Sequence, residues 1–456
     1  MKKNSRLIAL LLALILLISA ASCSAGGDET TETTSTSAPE TTENITAKTT
    51  EEAITVVAPP ETTPETLPPD PEDILRIIMQ DGRGESLLSA LGAEEDRELL
   101  AERERKLLYE HALSIELSKT ANLTEKIQND LLAGDCAYDL LLLDGTQGIE
   151  LLSAGLLENL SEVGIGITPD SIGIHKGITE SLTVGGGTYL IHSEALVSSL
   201  TSTYALKYNR ATLSTDPIKK VIDGGFTVES LITYISETET DAFSLSSSPA
   251  LALFTAVGGE IFSKNENGIP VSAVSADTDF GAKYNAALSL LSSDSESENA
   301  IFTVEKLSAT SAEEIYIPLP KIDESIAHRS LVDEEALSLL AAPAGVIGGK
   351  RLAELIGALN LASSDYKEAV RNRIVSGSGE EGRQMLDIIE ASMCLDLGIL
   401  FGWGDLDEYI AEGMAKGTNA EALLSDRITS MRNKAAETAA GIVADRLGIK
   451  QREITE

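Results

Sequence analysis

The sequence predicts an α/β fold, and three stretches near the start of its globular part carry that prediction. Residues 74–79 and 138–144 are almost continuously apolar, and apolar and polar side chains alternate over residues 113–117. Strands that are apolar on both faces and separated by helices are typical of a parallel sheet covered on both sides. This part of the chain therefore predicts a doubly wound α/β domain.

Two helices are predicted between these strands. Residues 96–111 are charged and helix-prone, and residues 124–132 form a second helical stretch. Thr124 is a residue type that caps helix N-termini, and Gly134 lies just past the end, where a left-handed residue is needed. The order strand, helix, strand, helix, strand follows.

Further elements are predicted downstream. The glycines within residues 182–191 suit the tight turn of a hairpin. Residues 204–209 form a strand, Thr227 begins a helix that runs to residue 236, and residues 315–320 form a strand stopped by prolines. After Leu352 the chain is mostly helical, and one face of its last long helix carries Leu424, Ile428, Met431 and Ala435.

The first residues have the layout of a secretory signal. A basic leader precedes an apolar run over residues 7–18, which is too short to span a bilayer as a mature helix, and small residues then lead to Cys23. The layout resembles a bacterial lipoprotein signal over residues 1–22, in which Cys23 becomes the lipid-carrying N-terminus. An ordinary cleaved signal with an incidental cysteine is the alternative.

A tether is predicted between Cys23 and residue 70. Residues 24–70 contain 14 Thr, 10 Asp or Glu, 6 Pro, a single Lys and no aromatic residue. Such a segment has too little apolar surface to offset the entropy of ordering it, so we expect residues 23–70 to be disordered. As a flexible coil it would reach on the order of 40 Å. The expected location is the extracellular face of the cell membrane, lipid-anchored, or the periplasm if the cell has two membranes.

Charge excludes some partners. The formal net charge is −37, whereas nucleic-acid phosphates and anionic lipid surfaces both require a basic footprint. We therefore expect no nucleic-acid partner, and contact with the membrane only through the N-terminal lipid. The residues after the tether suffice for two compact domains.

Residue patterns of enzymes and metal sites are missing. Residues 345–350 lack the spacing and the Ser or Thr of a nucleotide-binding loop, and the four histidines have no ligand spacing. Cys136 has no nearby histidine to activate it as a nucleophile. No catalytic residue, metal or cofactor is predicted. Outside the cell a disulfide between Cys136 and Cys394 is allowed, and two free thiols are the alternative.

Several short segments resemble extracellular solute-binding proteins. Residues 133–142 resemble the small-residue turn that leads into their third strand, and residues 154–161 resemble their next element. Residues 204–210 resemble the strand where the chain first crosses between lobes, and residues 226–231 match an aromatic residue followed by Thr and a helix. Four more segments fit in order: residues 257–261, 315–320, 385–389 and 397–400.

The resemblance is to bacterial extracellular solute-binding lipoproteins of ABC importers, of the carbohydrate, family 1-like type. It implies a two-lobed periplasmic-binding-protein type II fold, with parallel-sheet lobes joined by crossing strands. Lobe 1 would comprise residues 71–201 plus 317–361, and lobe 2 residues 202–316 plus 362–440. The loaded protein, expected to be a monomer, would dock on the permease subunits of an ABC transporter.

The rule that ligands lie at the carboxyl ends of parallel strands selects a candidate site. It places Asp144, Gly145, Thr146 and Gln147, which follow the third strand, at the cleft; a helix cap with a polar loop is the alternative. Tyr208 and Trp403 are candidate platforms for stacking a sugar ring, although either is equally compatible with the core.

Three functions remain open at this point. The first is capture of a small solute, above all a sugar or oligosaccharide, for an ABC importer. The second is a surface sensor or adhesion module on the same scaffold, which is suggested by an aromatic content of only 4%. The third is an extracellular glycosidase, which needs a carboxylate pair about 5–10 Å apart facing a groove.

Overall fold

A computed structural model describes residues 73–82, 93–162, 173–213, 215–236, 243–245, 249–276, 278–292, 300–345, 348–424 and 426–446. The predicted signal, Cys23 and the predicted tether lie outside these residues.

The strands are β1 (Asp73–Gln80), β2 (Leu113–Thr120), β3 (Leu140–Leu143), β4 (Tyr204–Asn209), β5 (Phe243–Leu245), β6 (Phe262–Lys264), β7 (Pro270–Ser272), β8 (Phe302–Lys306), β9 (Glu314–Ile317), β10 (Ser330–Leu331), β11 (Leu339–Ala341) and β12 (Met393–Cys394).

The helices are α1 (Ala93–His111), α2 (Leu123–Ala133), α3 (Gly145–Ser153), α4 (Lys176–Leu182), α5 (Ser198–Thr201), α6 (Ile218–Ile222), α7 (Val228–Ser236), α8 (Ala250–Ala256), α9 (Phe280–Leu291), α10 (Gly349–Ala362), α11 (Ser364–Ile374), α12 (Gly379–Ala391), α13 (Leu397–Phe401), α14 (Leu406–Ala415), α15 (Ala420–Leu423) and α16 (Asp426–Arg446).

The first lobe is built on a four-stranded sheet in the order β11-β3-β1-β2. β1 runs parallel to both β2 and β3, and β11 closes the edge antiparallel to β3. Side chains of β1 alternate between two apolar clusters: Leu75, Ile77 and Met79 enter one, and Ile78 enters the other. Burial on both faces explains why this strand is apolar almost throughout.

The second lobe is built on a sheet in the order β5-β8-β4-β9. Here β4 is antiparallel to both β8 and β9, and only β5 and β8 run parallel. The prediction of two parallel-sheet lobes is therefore wrong for this sheet. The physical reason is the path of the chain between the lobes. β4 leads away from the first sheet and β9 leads back towards it, so these two neighbouring strands run in opposite directions.

The two-lobed α/β architecture itself is confirmed, since the chain leaves the first sheet before β4 and rejoins it at β11. The predicted lobe boundaries stay a prediction. α10 and α11 both pack against α1 of the first lobe, whereas α12 packs against β9 of the second sheet.

Local details differ from the predictions in places. The cap of α2 is Asn122, whose side chain accepts the Glu125 N–H, rather than Thr124, and Gly134 ends the helix with φ 72° as predicted. The predicted hairpin at residues 182–191 is reduced to one bridge between Val184 and Gly187, around a turn of two glycines with positive φ.

The two cysteines that the structure describes, Cys136 and Cys394, are free thiols. In the described part of the chain, no helix combines the length and the apolar character needed to cross a membrane.

A buried histidine joins two segments of the first lobe. His192 follows the bridge between Ile191 and Leu340, and its Nδ1–H donates to the Ser338 carbonyl at 3.0 Å. Its ring meets that of His175 edge-on at 5.8 Å. Burial lowers the pKa of His192 from 6.5 to about 3. The folded chain therefore holds this ring neutral, whereas the unfolded chain protonates it in mild acid.

This pKa difference predicts acid sensitivity. Between about pH 6.5 and 3 the unfolded state binds a proton at His192 that the folded state does not, so stability falls as the pH falls. The loss is on the order of 5 kcal/mol at the acid end. His192→Asn keeps an N–H donor for Ser338 and should reduce this loss in urea unfolding curves recorded across the window. An unchanged loss in the His192→Asn chain would contradict the assignment.

Candidate cleft site

The loop selected by sequence lies at the carboxyl end of β3, as predicted, and caps α3. The Asp144 carboxylate accepts the Gln147 N–H at 2.8 Å, and the Gln147 side-chain oxygen accepts the Asp144 N–H at 3.1 Å. The Gln147 amide also donates to the Gln80 side chain at 3.0 Å, at the end of β1. Asp144 and Gln147 are therefore both buried and bonded within the first lobe. In this structure they form a helix cap, which is the alternative that the sequence left open.

The other two predicted residues differ in exposure. Thr146 is exposed, whereas Gly145, the first residue of α3, is buried. A Cβ at Gly145 would overlap Leu400 Cδ1 and lie 3.5 Å from the Glu334 carbonyl oxygen. Leu400 comes from α13, so a side chain from the far segment of the chain rests directly on the predicted ligand loop.

α13 contacts both lobes. Leu397 and Ile399 pack in the cluster that contains Phe262 of β6, while Leu400 packs in the cluster that contains Ile78 of β1 and Leu143 of β3. The helix is held by the buried Asp396 carboxylate, which accepts the N–H groups of Ile261 and Gly398, both at 2.7 Å. Burial raises the pKa of Asp396 to about 6. These bonds fix α13 to the strand region of β6 and thereby set where Leu400 points.

Trp403 lies two residues beyond α13 and is buried, with 4% of its surface exposed. Its ring meets Phe262 edge-on at 4.9 Å and tilts against Phe401 at 5.0 Å between centroids. The structure therefore places Trp403 in the core. Its predicted stacking role remains a prediction that requires these aromatic contacts to change.

Tyr208 also lies in the core, with 1% of its surface exposed. Its hydroxyl donates to Asp216 at 2.6 Å, and its ring tilts against Phe302 at 5.8 Å. Burial raises its pKa well above the ordinary value for tyrosine. These partners belong to the second lobe, so the structure does not bring Tyr208 together with Asp144 and Gln147.

A second contact joins the lobes away from α3. The Gly185 N–H, in the turn after α4, donates to the Gly268 carbonyl at 2.9 Å, between β6 and β7. Close by, the Lys264 ammonium donates to the Glu180 carbonyl, and burial lowers the pKa of Lys264 to about 8. The lobes therefore touch both at α13 and at the β6–β7 turn.

One pocket that described residues line lies elsewhere. It measures about 360 Å³ and is lined by Gly173, Glu194, Asn360, Leu361, Ser363, Ser364, Lys367, Glu368 and Arg371. Lys367 is already paired with Glu194 at 3.2 Å and with Glu390 at 2.6 Å. Because this pocket sits beside α10 and α11 rather than at the strand ends, it does not coincide with the predicted cleft.

Sequence reasoning missed three residues of this region. Gln80 ends β1, so the strand-end rule that selected Asp144 also selects Gln80. Asp396 before Leu397 and Gly398 has the pattern of a helix cap. Leu400 carries no local signal, because its role depends on a contact with a residue far away in sequence.

Among the described residues, no group of three or more His, Cys, Asp or Glu side chains could hold a metal ion.

No protein-family model matches the chain, and no curated protein matches it. Several solved structures match the chain. The sugar-binding protein MalE from the phytopathogen Xanthomonas citri matches with TM-score 0.53 at 10% identity, over 80% of this chain and 98% of that chain. A cyclo/maltodextrin-binding protein in complex with maltotetraose matches with TM-score 0.51 at 14% identity, over 79% and 97%. This likeness shows that the chain has the fold of carbohydrate-type solute-binding proteins.

The contact between the lobes can be tested by a double-mutant cycle. Gly145→Ala should destabilise the chain by about 1–3 kcal/mol, because the added methyl overlaps Leu400. In a Leu400→Ala background the same change should cost nothing or stabilise slightly, since alanine is the better helix former. Chemical unfolding of the four proteins gives the coupling energy. Additive effects of the two substitutions would show that the residues do not touch in solution.

Proposed function

We propose that this chain is a membrane-anchored extracellular solute-binding protein that captures a small solute by hinge closure and delivers it to an ABC importer. The observation that carries the proposal is the fold: two α/β lobes joined by crossing strands, alike over nearly the whole length of two sugar-binding proteins. Sugars and oligosaccharides are the proposed solutes, because one of these proteins is described as sugar-binding and the other is in complex with maltotetraose.

The arrangement supports reversible capture rather than covalent chemistry. Movement of α13 away from α3 would uncover Gly145 and the N-terminus of α3, where Asp144, Thr146 and Gln147 offer oxygen and nitrogen atoms to sugar hydroxyls. In the structure Leu400 occupies this place. Solute and Leu400 would therefore compete for the same end of the first sheet, and binding would require the lobes to part before they close again.

The anchor is part of the same proposal. Residues 1–22 would be a lipoprotein signal, Cys23 the lipidated N-terminus, and residues 23–70 a tether that holds the lobes away from the membrane. The support is the order of basic leader, apolar run, cysteine and acidic Thr/Pro-rich segment.

Cys23→Ala should move the protein from the membrane fraction to the soluble fraction and abolish labelling with radioactive palmitate.

One observation favours a second candidate, a surface sensor or adhesion module. Leu400 fills the position where the predicted ligand loop would face the other lobe. An adhesion module would keep that contact permanently, whereas a transport protein or a sensor must release it for a solute.

The test of solute capture is thermal unfolding of the purified chain against sugars, oligosaccharides, amino acids, peptides and polyamines. A solute at about a hundred times its dissociation constant should add about 2.7 kcal/mol of stability and raise the melting temperature. Trp403 is the only tryptophan and lies beside α13, so its fluorescence should change with the same solute.

Two variants sharpen this test. Gln147→Ala should weaken the response, whereas Gln128→Ala, an exposed glutamine on α2 of the same lobe, is the matched control and should leave it unchanged. A selective sugar response that depends on Gln147 supports the transport proposal. Silence across the panel from well-folded protein overturns it in favour of the adhesion module.

A further inference from the structure

β2 is an edge strand with one long side open. The first sheet has the order β11-β3-β1-β2, and in the part of the chain that the structure describes no strand pairs with the outer side of β2. On its inner side β2 pairs with β1 along its whole length, from Leu113 opposite Asp73 to Thr120 opposite Gln80. The backbone N–H and C=O groups along an open edge are a template for a further strand.

The hydrogen bonds of β2 show which of its backbone groups point outwards. At the end of the ladder the Asp81 N–H donates to the Thr120 carbonyl at 2.8 Å. Successive residues of a strand direct their backbone groups to opposite sides, so the even-numbered residues of β2 bond to β1 and the odd-numbered ones face away from it. Ile115 and Leu117 therefore direct both of their backbone groups towards the open side.

The side chains of these two residues lie on the apolar face of β2. Ile115 packs against the cluster that contains Leu113 and Leu107 of α1, whereas Leu117 is 41% exposed. The opposite face of β2 carries only Ser, Glu and Thr side chains. Apolar residues on an added strand would thus cover Leu117 and continue this cluster past the edge of the sheet.

One segment of the predicted tether has the residue types of a strand. Residues 54–57 read Ile-Thr-Val-Val and contain three of the five Ile, Leu and Val residues found in residues 24–70. All four are β-branched, and β-branched residues are enriched in strands. Two prolines follow at positions 59 and 60, and proline ends the pairing of a strand because it has no N–H. This composition differs from that of the Thr-rich, Pro-rich and acidic remainder.

The chain after this segment is long enough to bring it to β2. Residues 58–72, 15 in number, separate it from Asp73, where β1 begins. A Pro-rich chain extends about 3 Å per residue, so this stretch spans up to about 45 Å. The outer side of β2 lies two strand spacings, about 10 Å, from β1. Because β1 and β2 start at the same end of the sheet, the return is shortest if the segment ends beside Leu113 and so runs antiparallel to β2.

We propose that residues 54–57 add to the outer edge of β2 as an antiparallel strand, with Val56 opposite Ile115 and Ile54 opposite Leu117. In this register each of the two pairs exchanges two backbone hydrogen bonds, and both added side chains lie on the apolar face. The rest of the tether would then leave the lobe at the carboxyl end of β2 instead of at the start of β1. The pairing does not depend on the proposed solute or importer.

A cysteine pair tests this register in the full chain. Thr55→Cys with Glu116→Cys places two cysteines opposite each other at a non-hydrogen-bonded position, where the Cα atoms of antiparallel strands are about 4.5 Å apart, within the range of a disulfide. Thr46→Cys with Glu116→Cys is the matched control, because position 46 lies in the tether outside the segment. Under mild oxidation, with disulfides mapped by mass spectrometry, we expect the first pair to close within one chain about tenfold faster than the control pair or more.

Amide hydrogen exchange tests the backbone pairing. Val56→Pro removes the N–H that the Ile115 carbonyl would accept, so the amides of Ile115 and Leu117 should exchange about tenfold faster or more. Ile45→Pro, in the tether outside the segment, should leave their exchange within about twofold of the parent chain. Neither substitution touches the described lobes.

Three results would each overturn the proposal. The first is equal rates of disulfide formation in the two cysteine pairs. The second is a disulfide at position 55 that joins two chains instead of closing within one, since a second copy would then occupy the edge of β2. The third is equal exchange of the Ile115 and Leu117 amides in the Val56→Pro and Ile45→Pro chains.

Discussion

The contact between the two lobes at α13 depends on a single buried carboxylate. Asp396 accepts two backbone N–H groups at 2.7 Å, one from Ile261 and one from Gly398. Each of these donors would cost about 1–3 kcal/mol if it were buried without an acceptor. The carboxylate therefore fixes α13 to the region of β6, and α13 in turn places Leu400 against Gly145 of the other lobe. Gly145 makes this approach possible because it has no side chain.

This arrangement has a consequence for function. The N-terminus of α3 has a capping box of Asp144 and Gln147, and Gln147 is further bonded to Gln80. The side chains of Asp144 and Gln147 are thus bonded within the first lobe, while Leu400 packs against Gly145. Under the proposed function, a solute would have to supply enough interaction energy to replace both the bonds of the cap and the contact of Leu400.

Much of the fold could be predicted because it is encoded locally. β1 and β3 are apolar on both faces, β4 and α7 lie where the sequence predicts them, and Gly134 ends α2 as expected. The antiparallel pairing of β11 with β3 could not be predicted, since Leu339 and Leu143 are brought together only by the path of the whole chain.

The place of the Asp144–Gln147 loop after β3 could be predicted, whereas the bonding of its side chains could not, and its role as a ligand site stays a prediction. Asp and Gln after a buried strand serve equally well as a helix cap and as ligand-binding groups, so the sequence cannot tell the two apart at Asp144 and Gln147. Trp403 and Tyr208 are ambiguous for a similar reason, because an aromatic ring suits both a sugar face and a core. Leu400 was missed because only the folded structure brings α13 to α3.

Capture of a solute between the lobes requires the contact of α13 with α3 to open, and amide hydrogen exchange of the chain without solute measures this opening. We expect amides at the N-terminus of α3 and in α13 to exchange together through a local opening of lower free energy than global unfolding, while β1 and β3 stay protected. We also expect Leu400→Ala to accelerate exchange in both helices. Exchange of α3 and α13 only through global unfolding, in the parent chain and in the Leu400→Ala chain alike, would contradict this account.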